Sequence, residues 1–136
     1  MSYRCNILIL DDEPIVGDRL KTLLEKDGHH VEIFTKAVDA LRCLEAKPFD
    51  IVISDIRMPE MDGIVVMDRI FQTSQRIKVI LITGYATLEL ARESLTKGAF
   101  DFIAKPFKSK EIRQTIQKAA DALHQDDPRI SEQATA

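Results

Sequence analysis

Three carboxylates stand in a row at Asp11, Asp12 and Glu13, directly behind the apolar run Ile7-Leu8-Ile9-Leu10. Acids packed this closely repel and raise one another's pKa unless a cation neutralises them. Their oxygens suit a hard metal, and Mg²⁺ is the expected one. The pattern then repeats along the chain. Ile51-Val52-Ile53-Ser54 stops at Asp55, Val79-Ile80-Leu81-Ile82 stops at Thr83, and Phe100 to Ala104 runs into Lys105-Pro106. Carboxylates, a hydroxyl and an amine therefore each sit at the end of an apolar run, as in a site assembled from several strands. Taken singly, each has a plainer role. The acidic triplet could favour the positive end of a following helix, Asp55 could be a solvated loop acid, Thr83 an N-cap and Lys105 a surface amine. Recurrence at four run ends is what these plainer roles leave unexplained.

The elements that must position these groups alternate. Cys5 to Leu10 is a continuous apolar run of strand length, as expected of a parallel strand covered on both faces. Pro14 opens a helix with Ile15, Val16, Leu20, Leu23 and Leu24 at helical spacing, closed by Asp27-Gly28. His30 to Phe34 reads as a strand, and Thr35 as the N-cap of a helix carrying Ala37, Val38, Leu41 and Leu44, which Pro48 blocks. Ile51 to Ser54 is the third strand. The turn-rich Met58-Pro59-Glu60-Met61-Asp62-Gly63 leads into a helix through Val65, Val66, Met67, Ile70 and Phe71. Ile77 to Ile82 is the fourth strand, a helix from about Thr87 ends at Lys97-Gly98, and Phe100 to Ile103 is the fifth strand. A last helix from about Ser109 carries Ile112, Ile116, Ala119 and Leu123 on one face. Five such units imply an α/β doubly wound parallel sheet with helices on both faces. Ligands of such sheets sit beyond the carboxyl ends of the strands, where Asp12, Asp55, Thr83 and Lys105 all fall.

Composition narrows the function classes. A chain of 136 residues is one domain by size, and 45% hydrophobic with 30% charged residues is ordinary for a globular protein. A net charge of -3 without a basic run argues against direct nucleic-acid binding. No apolar stretch reaches the ~18 residues of a membrane span, and the N-terminus lacks a signal-peptide core, so a cytoplasmic location is expected. Cys5 and Cys43 have no zinc-site or redox spacing and read as buried free thiols. Met58, Met61 and Met67 read as packing, while His29 and His30 read as solvent-exposed residues of a connection. Residues 125–136 are polar and aperiodic, so the expected organisation is a domain over 1–124 and a disordered tail over 125–136.

The quoted residues carry a resemblance. Asp11-Asp12, Asp55 with Met58-Pro59 and Asp62-Gly63, Thr83-Gly84, and Gly98-Ala99-Phe100-Asp101-Phe102 before Lys105-Pro106-Phe107 together resemble the receiver domain of two-component response regulators. The likeness covers about Asn6 to Leu123. It implies the flavodoxin-like (βα)5 fold with strand order 2-1-3-4-5 and a phosphoryl group accepted from a sensor histidine kinase, a phosphotransfer protein or a small phosphodonor. By that resemblance Asp55 would be the nucleophile and the phosphorylated residue. Asp12, Asp55, the Arg57 carbonyl and, mainly through water, Asp11 would hold Mg²⁺. Lys105 would contact the phosphoryl group as a point charge, Thr83 would donate its hydroxyl to it, and Lys105-Pro106 would be a cis bond that fixes the lysine's direction. Arg57 and Tyr85, two positions beyond the nucleophile and Thr83, are expected to border the pocket and tune the phosphoryl lifetime.

Output would run through the fourth helix, fifth strand and fifth helix, with Phe102 at the family's switch position, where tyrosine is common. The resemblance implies a downstream output domain or partner protein and leaves open a phosphorylation-dependent homodimer. Thr115 replaces an arginine common in one dimer face, against a salt-bridged form of it. The chain reads as a stand-alone receiver or part of a longer regulator, and not as an enzyme beyond its own phosphorylation and dephosphorylation. Rival classes fit less well. The phosphate-binding loop GxxxxGK[ST] is absent, and the acidic first turn would repel a flavin phosphate. A phosphoaspartate phosphatase would need DxD where Asp11-Asp12-Glu13 stands. A pseudo-receiver that only binds partners would not need the intact Asp12, Asp55 and Lys105.

Overall fold

The structure, a computed structural model, describes residues 3–126. Its elements are β1 (Asn6–Leu10), α1 (Pro14–Lys26), β2 (His30–Phe34), α2 (Ala37–Ala46), β3 (Ile51–Asp55), α3 (Gly63–Thr73), β4 (Lys78–Thr83), α4 (Leu88–Thr96), β5 (Asp101–Ala104) and α5 (Ser109–Asp126). The strands form one parallel sheet in the order β2-β1-β3-β4-β5, as the resemblance implies. Chain direction across the sheet reverses at β1, so the strand ends of β1 and β3 flank the crevice where this fold places its ligands.

Successive strand residues face opposite layers, which divides the core in two. Ile7, Ile9, Ile51, Ile53, Ile80 and Ile82 pack with α1 and with Ile112, Ile116, Ala119 and Leu123 of α5. Leu8, Leu10, Val52, Val79 and Leu81 pack with α2 and α3. All five residues of β3 are buried, which is why the central strands lack an apolar-polar alternation. Each fully buried Ile or Leu contributes about 1.5–3 kcal/mol of transfer free energy, so two covered faces stabilise the platform beneath the strand ends.

The helix termini follow the sequence signals with two exceptions. Gly28, at φ 93°, closes α1 with Gly28 N–H on the Glu25 carbonyl and His29 N–H on the Leu24 carbonyl, the paired bonds of a Schellman turn. That turn folds His29 back against β1, where it is buried, contrary to the expected solvent exposure. Its Nδ1 accepts a hydrogen bond from the Cys5 backbone N–H at 3.0 Å. At α2 the N-cap is Lys36 and not Thr35, and no side chain caps it. Gln125 and Asp126 continue α5 instead of opening a tail; polar composition alone does not stop a helix whose apolar face already holds it to the sheet. The rest of the expected tail, 127–136, lies outside the described residues. Cys5 is buried as expected and Cys43 half-buried, both free thiols. Ile15, counted in the apolar pattern of α1, is 73% exposed, while Gly17, Leu20 and Leu24 face the core. Among the described residues no helix is long and apolar enough to cross a membrane.

Candidate functional site

The acidic triplet is positioned by the end of β1. Asp11 N–H donates to the Phe34 carbonyl at 3.1 Å, which prolongs the β1–β2 ladder by one residue and turns the Asp11 carboxyl beneath the sheet edge, fully buried. Asp11 Oδ1 accepts from Glu13 N–H at 2.9 Å, forming the turn that delivers the chain to Pro14. Asp55 is the last residue of β3, 5% exposed, with Oδ1 accepting from Arg57 N–H at 3.3 Å. Across the sheet, Lys105 N–H donates to the Thr83 carbonyl at 2.8 Å, carrying the β4–β5 ladder past Ala104. The Lys105 side chain then reaches back over the strand ends. Its Nζ donates to Asp11 Oδ2 at 2.8 Å and to Asp55 Oδ2 at 3.0 Å, with Glu13 Oε1 3.6 Å away. The Lys105–Pro106 bond is cis, as the resemblance implies.

Asp11, Asp12, Glu13 and Asp55 each offer a carboxylate oxygen within 4.8 Å of the others. Three of these acids, Asp11, Glu13 and Asp55, face the one Lys105 ammonium, and the four donors are all oxygen, so the set fits a hard divalent cation such as Mg²⁺. Burial pushes the Asp11 carboxyl above its ordinary pKa, against the pull of the Lys105 hydrogen bond. Burial works to lower Lys105, but its bonds to Asp11 and Asp55 outweigh that and hold it above the ordinary lysine value. The lysine thus stays charged, and Asp11 is the acid that burial penalises. Glu13 belongs to this group although the resemblance assigns it no role; its place in the acidic triplet was the available signal.

Two loops close over the cluster. Thr83 is fully buried and its Oγ1 accepts from Tyr85 N–H at 3.1 Å. Tyr85 is 62% exposed, and the Arg57 Cζ lies 4.4 Å from its ring centroid, so Arg57 and Tyr85, each two positions after Asp55 and Thr83 respectively, meet across the mouth. Gly63 opens α3 so close to β3 that an added Cβ would lie 2.5 Å from the Asp55 carbonyl oxygen. A hollow of about 300 Å³ adjoins Lys105, lined by Glu13, Val16, Arg19, Pro106 and Phe107. Phe102 is half-buried and packs against the core layer under α2 and α3, as does Leu90 of α4. Asp101 accepts from Phe102 N–H at 2.7 Å and from the Thr115 hydroxyl at 3.4 Å, so its carboxylate is engaged within the chain.

Residues 7–117 match the family model of the response regulator receiver domain. The chain is 36% identical over 119 residues to the C4-dicarboxylate transport transcriptional regulatory protein DctD of Rhizobium meliloti, a match covering 88% of this chain and 26% of that protein. It is 32% identical over 136 residues to the transcriptional regulatory protein FixJ of Bradyrhizobium diazoefficiens, covering 100% of this chain and 65% of FixJ. The chain therefore spans about a quarter of the one relative and less than two thirds of the other. A beryllofluoride-activated NtrC4 receiver domain dimer is similar in structure, with a TM-score of 0.84 and 30% identity over 87% of this chain and 98% of that one.

Proposed function

This chain belongs to the response regulator receiver domain family, and from that premise we propose that it accepts one phosphoryl group on Asp55 in a Mg²⁺-dependent reaction. The observation that carries the reading is the convergence of Asp11, Asp55 and the Lys105 ammonium, at 2.8 and 3.0 Å, on the carboxyl edge of the central strands. An Asp55 carboxylate oxygen attacks phosphorus, the bond from phosphorus to the donor atom breaks, and a donor imidazole leaves carrying a proton. Asp11, Asp12, Asp55 and the Arg57 carbonyl would hold Mg²⁺, which when bound offsets the repulsion between carboxylate and phosphoanion. Lys105 supplies the remaining positive charge to the phosphoryl oxygens. Thr83 supplies a hydroxyl proton to one of those oxygens once its Oγ1 turns from the Tyr85 amide. The donor is a sensor histidine kinase or a phosphotransfer protein, and the chain catalyses only its own phosphorylation and dephosphorylation.

Readout follows from what Thr83 leaves behind. Its movement opens space behind β4 that Phe102, a ring without a hydroxyl, fills by packing alone, and α4, β5 and α5 change surface. Leu88 and Leu95 of α4, 67% and 48% exposed, give that side apolar contacts for an output domain or partner protein. A phosphorylation-dependent homodimer would use the same side; the NtrC4 neighbour is a dimer in its beryllofluoride-activated state. This chain would pair without the arginine that Thr115 replaces. The names of DctD and FixJ favour a transcriptional output.

Acetyl phosphate with Mg²⁺ tests the reading. Intact mass spectrometry is expected to find one added phosphoryl group, lost with chelator and abolished in Asp55→Asn, because an amide is not the nucleophile. Undiminished labelling of Asp55→Asn moves the nucleophile elsewhere.

A further inference from the structure

His29 is a buried side chain with half of its hydrogen-bonding capacity unused. It is 7% exposed, and its Nδ1 accepts from the Cys5 backbone N–H at 3.0 Å. A neutral ring that accepts at Nδ1 carries its proton on Nε2, so Nε2–H is a donor of fixed direction. Among the described residues none accepts from it. No buried side-chain nitrogen or oxygen among them lacks a partner, so Nε2 meets open space. The open space that His29 lines is a hollow of about 500 Å³ between α1 and α5, shared with Lys26, Asp27, Arg113, Gln114 and Gln117. We propose that this hollow binds an oxyanion, the carboxylate or phosphate group of a small molecule, with His29 Nε2–H, the Lys26 ammonium and the Arg113 guanidinium as its donors.

Charge and donor count favour an anion over a cation. Lys26 and Arg113 are two cations against the one carboxylate of Asp27, and that carboxylate is already engaged, with Arg113 Nε 3.1 Å from Asp27 Oδ2. A guanidinium has five N–H donors, so a bond through Nε leaves the terminal ones for a ligand. A metal ion would need a bare ring nitrogen, and the Cys5 bond has already taken Nδ1. Water could satisfy Nε2–H, but it would leave the two cations at the same mouth without a counter-charge. The volume falls in the range of small-molecule sites, with room for the body of an organic anion beside its charged group. Lys26 and Arg113 are exposed and salt screens them, so the expected affinity is on the order of millimolar. Such a ligand joins α1 to α5, which pack on one core layer through Leu20, Leu24, Ile112 and Ile116.

Inorganic phosphate is the probe, titrated into the whole chain at about pH 7.5, where the His29 ring is neutral. Chelator is present so that no metal recruits phosphate to Asp55, and chloride at equal ionic strength is the control. Long-range proton–nitrogen spectra of the histidine rings are expected to show His29 protonated on Nε2. That nitrogen and the Arg113 Nε–H are expected to shift with phosphate and not with chloride. Lys26→Gln combined with Arg113→Gln, two exposed positions outside the core, is expected to weaken phosphate binding about tenfold. Lys26→Gln by itself keeps the Arg113–Asp27 pair and is expected to shift the affinity the same way by less, so the site stays testable if the double variant folds poorly. A His29 ring protonated on Nδ1, equal shifts in chloride, or an affinity unchanged in both variants overturns the site.

Discussion

At the scale of single residues, the contact between Arg57 and Tyr85 joins the β3–α3 and β4–α4 loops by side chains whose backbones also serve the site. Arg57 N–H holds Asp55 Oδ1, and Tyr85 N–H holds Thr83 Oγ1. A cation over an exposed ring at 4.4 Å stabilises the arrangement by about 0.5–1 kcal/mol, enough to bias the ring's position but not to lock it. Hydrolysis of an Asp55 phosphoryl group needs water roughly in line with the breaking bond. A phenol ring at the mouth would exclude such approaches, and a guanidinium engaged with that ring would not activate water. Tyr85→Ala is therefore expected to speed dephosphorylation about tenfold, about 1.4 kcal/mol of barrier. Arg57→Ala should do less, a few-fold at most, because it removes only the bias. Phosphate release from purified phosphoprotein measures both; decay in Tyr85→Ala that is equal or slower removes the shielding role. The relation of Arg57 and Tyr85 to the pocket was legible from their spacing to Asp55 and Thr83. The resting bonds of Lys105 to Asp11 and Asp55 were not, because they join residues 94 and 50 positions apart and nothing in the local sequence records which acid a long side chain reaches.

At the scale of elements, the approach of α3 to β3 decides how accurately the Asp55 loop is held. Gly63 N–H donates to the Ile56 carbonyl at 2.7 Å, and a Cβ on Gly63 would meet the Asp55 carbonyl oxygen at 2.5 Å and Ile56 Cα at 2.7 Å. Those neighbours are backbone, so they cannot turn aside as a flexible side chain would. Alanine gains up to about 1 kcal/mol of helix propensity in a helix interior, less at a first position, against about 1–3 kcal/mol for forced overpacking. Gly63→Ala is thus expected to lower the urea midpoint and, by displacing the segment that carries Arg57, to slow acetyl phosphate labelling. An unchanged midpoint with an unchanged labelling rate shows that this approach constrains neither. The ten elements themselves were readable because each strand is a short apolar run and each helix a periodic one. What sequence periodicity left undecided was orientation. Ile15 and Val38 fit the apolar spacing of their helices yet are exposed, since the sheet presents only one face to each helix and that face was filled by Gly17, Leu20 and Leu24 or by Ala37, Ala40 and Leu44.

At the scale of the whole molecule, the edge of the sheet opposite the site carries its own polar weakness. A histidine beside Asp27-Gly28 looks like a loop residue, and only the handedness of the turn, Gly28 at φ 93°, sends His29 inward. There Nδ1 accepts from Cys5 N–H at 3.0 Å, an acceptor role possible only for the neutral ring. Burial lowers the His29 pKa below its ordinary value, opposed by Asp27. The unfolded chain therefore takes up this proton at a higher pH than the folded one. Stability from His29 is fully present above the unfolded value, near 6.5, and is lost as pH falls through the folded value. Protonation also orphans the Cys5 N–H, a buried donor whose loss of partner costs about 1–3 kcal/mol. His29→Asn keeps an acceptor and removes the titration. Urea unfolding at a series of pH values between about 7.5 and 5, above most carboxylate transitions, is expected to show the unsubstituted protein weakening with acid more steeply than the variant. Asp11, whose pKa burial raises, works in the opposite direction, but it does so in both proteins and cancels in the difference. Parallel curves would mean that the proton on His29 is accommodated, with the Cys5 bond replaced at no cost.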